Sequence, residues 1–133
     1  MARHNITGKI GEEIAKKFLI GKGLKFVSAN YRKPYGEIDL IFKDSQNRYI
    51  FVEVKSVSWE TPTSSENAVS HETPHPEENI NSEKVKRLKR VIQVYLVSHE
   101  IVGEWQFDVI AVFLDQKNKT ATVRHLRDVI LGS

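Results

Sequence analysis

Gly36-Glu37-Ile38-Asp39-Leu40-Ile41 and Phe51-Val52-Glu53-Val54-Lys55 are two apolar runs, rich in β-branched and aromatic residues, that carry charge in their interiors. Such composition reads as strand, and Asp44-Ser45-Gln46-Asn47-Arg48 between them reads as a turn, so the pair forms a β-hairpin. With Lys43 facing Tyr49, equal steps away from the turn set Asp39 opposite Glu53 and Glu37 opposite Lys55. A period of two then places Glu37, Asp39, Glu53 and Lys55 on one face and Ile38, Leu40, Val52 and Val54 on the other.

Like charges directly opposed destabilise a sheet, so an Asp39–Glu53 pair calls for a compensating cation. A hard divalent ion such as Mg²⁺ fits, because it prefers carboxylate and water oxygens. Lys55, on the same face, can position a water or steady negative charge developing on a phosphate. The plainer alternative is a charged strand face in which Lys55 pairs with Glu37 or Glu53.

The rest of the chain frames this hairpin. Ile10, Ile14, Ala15, Phe18 and Leu19 recur at helical spacing between Thr7, an N-cap residue type, and Gly23, a terminator. Glu12 lies about 20° around that helix from Leu19, at the rim of the buried stripe. Strands are expected over 24–31, 36–43, 49–57, 106–114 and 120–126. A second helix starts near Ser82, with Asn81 as cap, Ile80 stapling onto Val85, and a stripe of Val85, Leu88, Ile92 and Tyr95. Lys84 sits about 100° back from Val85 and looks toward the hairpin, whereas Arg87 and Arg90 read as an ordinary solvated face. Val109 to Leu114 is apolar on both sides, as a central strand requires. Asp108 reads as a structural acid pairing Arg32 or Lys33, and Tyr31, Trp105 and Phe107 as packing aromatics.

The order of motifs is more specific than any one of them. Ile38-Asp39, thirteen residues, then Glu53-x-Lys55 resembles the pattern of the PD-(D/E)xK nuclease superfamily. Gly8-x-x-Gly11-Glu12-x-x-Ala15, Asn30-Tyr31-Arg32, the two hairpin runs, Lys84-x-x-Arg87-Leu88 and Phe107-Asp108-Val109-Ile110 follow one another in a chain that resembles the bacterial YraN-like family, over residues 8–113. That family is similar to archaeal Holliday-junction resolvases. The resemblance implies a restriction-endonuclease-like α/β fold, a central mixed sheet flanked by helices. It also implies Mg²⁺ (or Mn²⁺) held by Asp39, Glu53 and the backbone carbonyl of Val54, with Lys55 orienting water and Glu12 assisting from the first helix. DNA, branched or otherwise structured, is the implied substrate, with Lys84, Arg32 and Arg87 as candidate nucleic-acid contacts. A homodimer would cut both strands of a symmetric junction with equivalent sites. Three features depart from the pattern. Ile38 replaces the superfamily's proline, Ser56-Val57-Ser58 stands where an arginine usually follows, and the acidic segment after the hairpin is long.

Length and composition fit a single domain over 1–133, nuclease-like by the resemblance: 40% of residues are hydrophobic and 28% charged. Without cysteine there is neither a disulfide nor a thiolate metal site. The start of the chain lacks an apolar signal stretch and no run is long enough to span a bilayer, so no membrane partner and a cytoplasmic location are expected. Net charge is +3, but residues 59–82 hold five acids and no Lys or Arg, which leaves the remainder at +8, suited to an anionic polymer. Residues 59–81, poor in large apolar groups, are expected to form a mobile loop. Within it His71-Glu72-Thr73-Pro74-His75 matches the zinc-protease H-E-x-x-H, but Pro74 and Pro76 exclude the helix that motif needs. Two non-enzymatic alternatives are a nucleic-acid-binding protein that retains the nuclease scaffold and a protein-interaction module docking through the loop.

Overall fold

A computed structural model describes residues 3–59 and 82–131. Helix α1 (Arg3–Gly21) is followed by strands β1 (Lys25–Lys33), β2 (Gly36–Lys43) and β3 (Tyr49–Trp59), helix α2 (Ser82–Ser98), and strands β4 (Trp105–Asp115) and β5 (Thr120–Leu126). The strands form one sheet in the order β1-β2-β3-β4-β5. β3 and β4 are parallel and the other neighbours antiparallel, so the sheet is mixed, as expected. The H-E-x-x-H stretch, the Asn81 cap, the Ile80 staple and nearly all of the 59–81 segment lie outside the described residues.

Each helix covers one face of the sheet. Ala15 and Leu19 of α1 pack with Leu40, Phe42, Ile50, Val52, Ile110 and Val112. Leu88, Val91, Ile92, Tyr95 and Leu96 of α2 pack with Ile38, Ile41, Phe51, Phe107 and Val109. β4 therefore gives residues to both cores, which is why its sequence is apolar without alternation. Tyr31, Trp105 and Phe107 pack as anticipated; the Tyr31 ring meets Tyr95 edge-on at 4.9 Å.

Helix ends follow local chemistry. Leu24 N–H reaches Leu19 C=O and Gly23 N–H reaches Ile20 C=O, the paired bonds of a Schellman stop, with Gly23 at φ 96°. α2 stops the same way at Glu100, at φ 53°. At the other end α1 begins at Arg3, four residues before Thr7, so Thr7 is not its cap. Ile10 falls outside the buried stripe and is 46% exposed.

The β2–β3 turn is built by Asp44, whose carboxylate accepts the backbone N–H groups of Gln46 and Arg48, both at 2.9 Å, and Arg48 Nε at 2.8 Å. Asn47 takes the left-handed conformation the turn requires (φ 65°). Lys43 then faces Tyr49, as read from the sequence, and pairing continues through Leu40 opposite Val52. There the ladder ends. Ile38 packs on the α2 side and Leu40 on the α1 side, although residues two apart share a face in a regular strand. β2 slips by one position at Asp39. Opposite Asp39 lies Asn30 of β1, at φ 55°.

Candidate metal centre

The slip in β2 opens the sheet where the charged residues collect. Instead of a main-chain bond, Val54 N–H donates to Asp39 Oδ2 at 2.7 Å. In a strand the N–H and C=O of one residue face the same neighbour, so the Val54 carbonyl also faces this opening. Glu12 of α1, Glu37 and Asp39 each present a carboxylate oxygen, all within 4.8 Å of one another. Asn30 Nδ2 donates to Glu12 Oε1 at 3.2 Å. α1 can approach this closely because Gly11 packs on Ser56: a Cβ there would lie 1.8 Å from Ser56 Oγ.

Glu53 takes a different set of partners. It is buried, and its Oε2 accepts Lys84 Nζ of α2 at 2.5 Å, with Lys55 Nζ at 3.8 Å. Lys84 thus reaches into the site, as its position on α2 indicated. Glu37 does not face Lys55. It pairs with Arg32, its opposite on β1, at 3.4 Å, because the β2–β3 ladder ends before Glu37 and Lys55 meet. Arg32 is an exposed rim residue. Arg87 stays outside the cluster, on the solvated helix face, 3.9 Å from Glu83. Arg90 lies with its guanidinium 4.0 Å from the centre of the Tyr35 ring.

Burial and like charge dominate the electrostatics of this cluster. Burial, then the charge of Glu53, push Asp39 up to about 8 against the opposing bond from Val54, with Glu12 and Glu37 raising it further. Burial and Glu37 raise Glu12 as well. Lys55 is lowered by burial and by Lys84 beside it. Burial disfavours the Lys84 charge, but the hydrogen bond and charge of Glu53 outweigh it and hold Lys84 up. A divalent ion among these carboxylates would remove the repulsion. The donor set, all hard oxygens, fits Mg²⁺ or Mn²⁺.

Glu37, read from the sequence as sharing the charged face with Asp39 but not as a ligand, joins the carboxylate set. One contributor escaped the sequence reading. Asn30 holds Glu12, and only the tolerance of asparagine for positive φ hinted at its conformation. Asp108 is structural, but its partner is neither Arg32 nor Lys33. Its carboxylate meets His125 Nε2 at 2.7 Å and accepts Gln106 Nε2 and Asp128 N–H, each at 2.9 Å. β5 brings His125 opposite Ile110, a register the sequence did not disclose.

Residues 11–112 match the model of the uncharacterised protein family UPF0102. The chain is similar to a UPF0102 protein of Moorella thermoacetica, 32% identical over 121 residues, covering 90% of this chain and 91% of that one. It is also 35% identical over 130 residues to a UPF0102 protein of Beutenbergia cavernae, covering 97% and 99%. Among solved structures, the SfsA protein of Pyrococcus furiosus in complex with Ca²⁺ aligns with a TM-score of 0.37 and 15% identity, over 96% of this chain and 65% of that one. With most of its length matched by family model and relatives, the chain belongs to the UPF0102 family, the YraN-like group its ordered motifs indicated.

Proposed function

We propose that this protein is a divalent-metal-dependent endonuclease acting on DNA, with branched or otherwise structured DNA as its substrate. The observation that carries the reading is the oxygen cluster at the open end of the hairpin: Glu12, Glu37 and Asp39 within 4.8 Å, Glu53 close enough to shift Asp39, and two lysines beside them. The motif resemblance to the PD-(D/E)xK superfamily supports the same chemistry.

Asp39, Glu53 and the Val54 carbonyl would hold the ion, and Glu12 and Glu37 complete the oxygen donors around it. When bound, Mg²⁺ or Mn²⁺ supplies Lewis acidity and lowers the pKa of a water. Lys55 orients the attacking water and offsets charge on the scissile phosphate; its lowered pKa suits it to exchange a proton with that water. Arg32 at the rim and Lys84 from α2 flank the opening on the β1 and α2 sides, where they can hold the backbone on either side of the cut.

Cleavage of a four-way junction and of linear duplex, in Mg²⁺ or Mn²⁺ against chelator, is the direct test. Asp39→Ala and Glu53→Ala should each abolish cleavage, and Lys55→Ala should reduce it by about 10²- to 10⁴-fold. All three should retain a cooperative unfolding transition. Undiminished cleavage by the three variants would end this assignment. Tight DNA binding in chelator with no cleavage in any metal would instead mark a binding protein built on the same scaffold.

A further inference from the structure

We propose that Lys84 is an internal stand-in cation: it holds the Glu53 carboxylate until a divalent ion takes that carboxylate, and its displaced ammonium then engages the DNA phosphate. The inference rests on the metal-dependent reading of the site and assigns Lys84 a coupling role within it.

Position argues first. Lys84 comes from α2, not from the hairpin, yet its Nζ makes the closest contact to Glu53, at 2.5 Å, while Lys55 on the same strand stays at 3.8 Å from the same oxygen. Glu53 does not join the set of Glu12, Glu37 and Asp39 oxygens that lie within 4.8 Å of one another. An ion seated in that set and reaching for Glu53 meets Lys84 there. A divalent ion on the Glu53 carboxylate repels the ammonium already bonded to it, so the two compete for that group. The Lys84 side chain is 32% exposed on a long, rotatable stem, so its ammonium can leave toward solvent, whereas the Glu53 carboxyl, at 8%, cannot. Departure puts a positive charge at the mouth of the site only when the cation is in place. Cation and DNA binding therefore assist one another, as linkage requires.

The test follows Lys84 itself. The full chain is reductively methylated in Mg²⁺ and in chelator, and the rate at Lys84 is read by peptide mass against exposed Lys117 in the β4–β5 turn. The rate at Lys84 should rise several-fold with Mg²⁺ while that at Lys117 stays constant. Calorimetric titration with Mn²⁺ should show Lys84→Gln binding the ion about fivefold more tightly than the unsubstituted chain. In a Glu53→Gln background that gain should vanish, which separates competition for Glu53 from a general charge effect. Affinity for a junction should rise with Ca²⁺ in the unsubstituted chain and not in Lys84→Gln. An ion that binds without changing Lys84 reactivity overturns the inference and leaves the nuclease reading intact. If Lys84 is released but junction affinity ignores Ca²⁺, the coupling is overturned while cleavage still decides the function. If no divalent ion binds, both fall.

Discussion

Asp39 is the residue whose protonation the fold most disturbs. Burial and the charge of Glu53 push its carboxyl up to about 8, well above the 3.8 of an unperturbed aspartate. The folded state therefore keeps a proton that the unfolded chain releases, and the sign follows from linkage. The contribution to stability is fully present below the ordinary aspartate pKa and is lost as pH rises to about 8. In chelator, the melting temperature should fall between pH 5 and 8. Asp39→Asn should flatten that fall, which thermal melts across the range would check. A divalent ion held by Asp39 would require the deprotonated form, so under the proposed function its apparent affinity should rise about tenfold per pH unit below about pH 8, read by calorimetry. The identity of this residue was legible because acid within an apolar strand run is costly and therefore informative. Its slip out of register was not, since the step depends on Asn30 across the sheet and on capture of the Val54 N–H. Neither is encoded in the period-two pattern of the hairpin.

At the scale of elements, the turn and the first four residue pairs of the β2–β3 hairpin could be read in advance, because Asp44 and Asn47 specify a turn locally. The helical stripe of α2 was equally plain, with Leu88, Ile92 and Tyr95 all buried. What α1 does was less so, since its apolar residues do not say how closely it approaches the sheet. That distance is set at Gly11, where a methyl group would meet Ser56 Oγ at 1.8 Å and Ser56 Cβ at 2.9 Å. Gly11→Ala should lift α1 from β3, with a loss of roughly 1–3 kcal/mol in urea unfolding. It should also weaken Mn²⁺ binding by moving Glu12. Ser56→Gly in the same chain makes room for the methyl, so the double variant should recover affinity beyond the sum of the single effects. Independent additivity of the two changes would show that Gly11 does not set the position of Glu12. The end of α2 offers the opposite case. Glu100 holds a left-handed conformation that costs a side chain about 1 kcal/mol, so Glu100→Gly should stabilise the protein by a similar amount.

Across the molecule, the carboxylate cluster and the Asp108 cluster lie on neighbouring strands, with Asp108 opposite Val52 next to Glu53, yet they answer pH in opposite directions. Lys22 Nζ lies 3.4 Å from His125 Nδ1, and an ammonium can only donate. Neutral His125 thus carries its proton on Nε2 and gives it to Asp108. Burial would raise Asp108, but the bonds from His125, the Asp128 N–H and Gln106 prevail and lower it. Its contribution is present above the ordinary carboxylate range and is lost as pH falls through the lowered value, the reverse of Asp39. With Val129 N–H bonded to Phe107 C=O at 2.7 Å, this cluster ties β4, β5 and the segment after them together. Asp108→Ala strands three donors and should cost roughly 3 kcal/mol. If the metal centre is a separate unit, that loss and the gain from cation binding add. Free Mn²⁺ at a hundred times its dissociation constant stabilises by about 2.7 kcal/mol, roughly 10 °C in a chain of this size. The Asp108→Ala variant should melt lower yet keep that full increment, while Asp39→Ala should lose the increment. A diminished increment in Asp108→Ala would mean that the two clusters are coupled through the pairing of β3 with β4, and that the cage depends on β4 and β5 and not on the hairpin and its two helices alone.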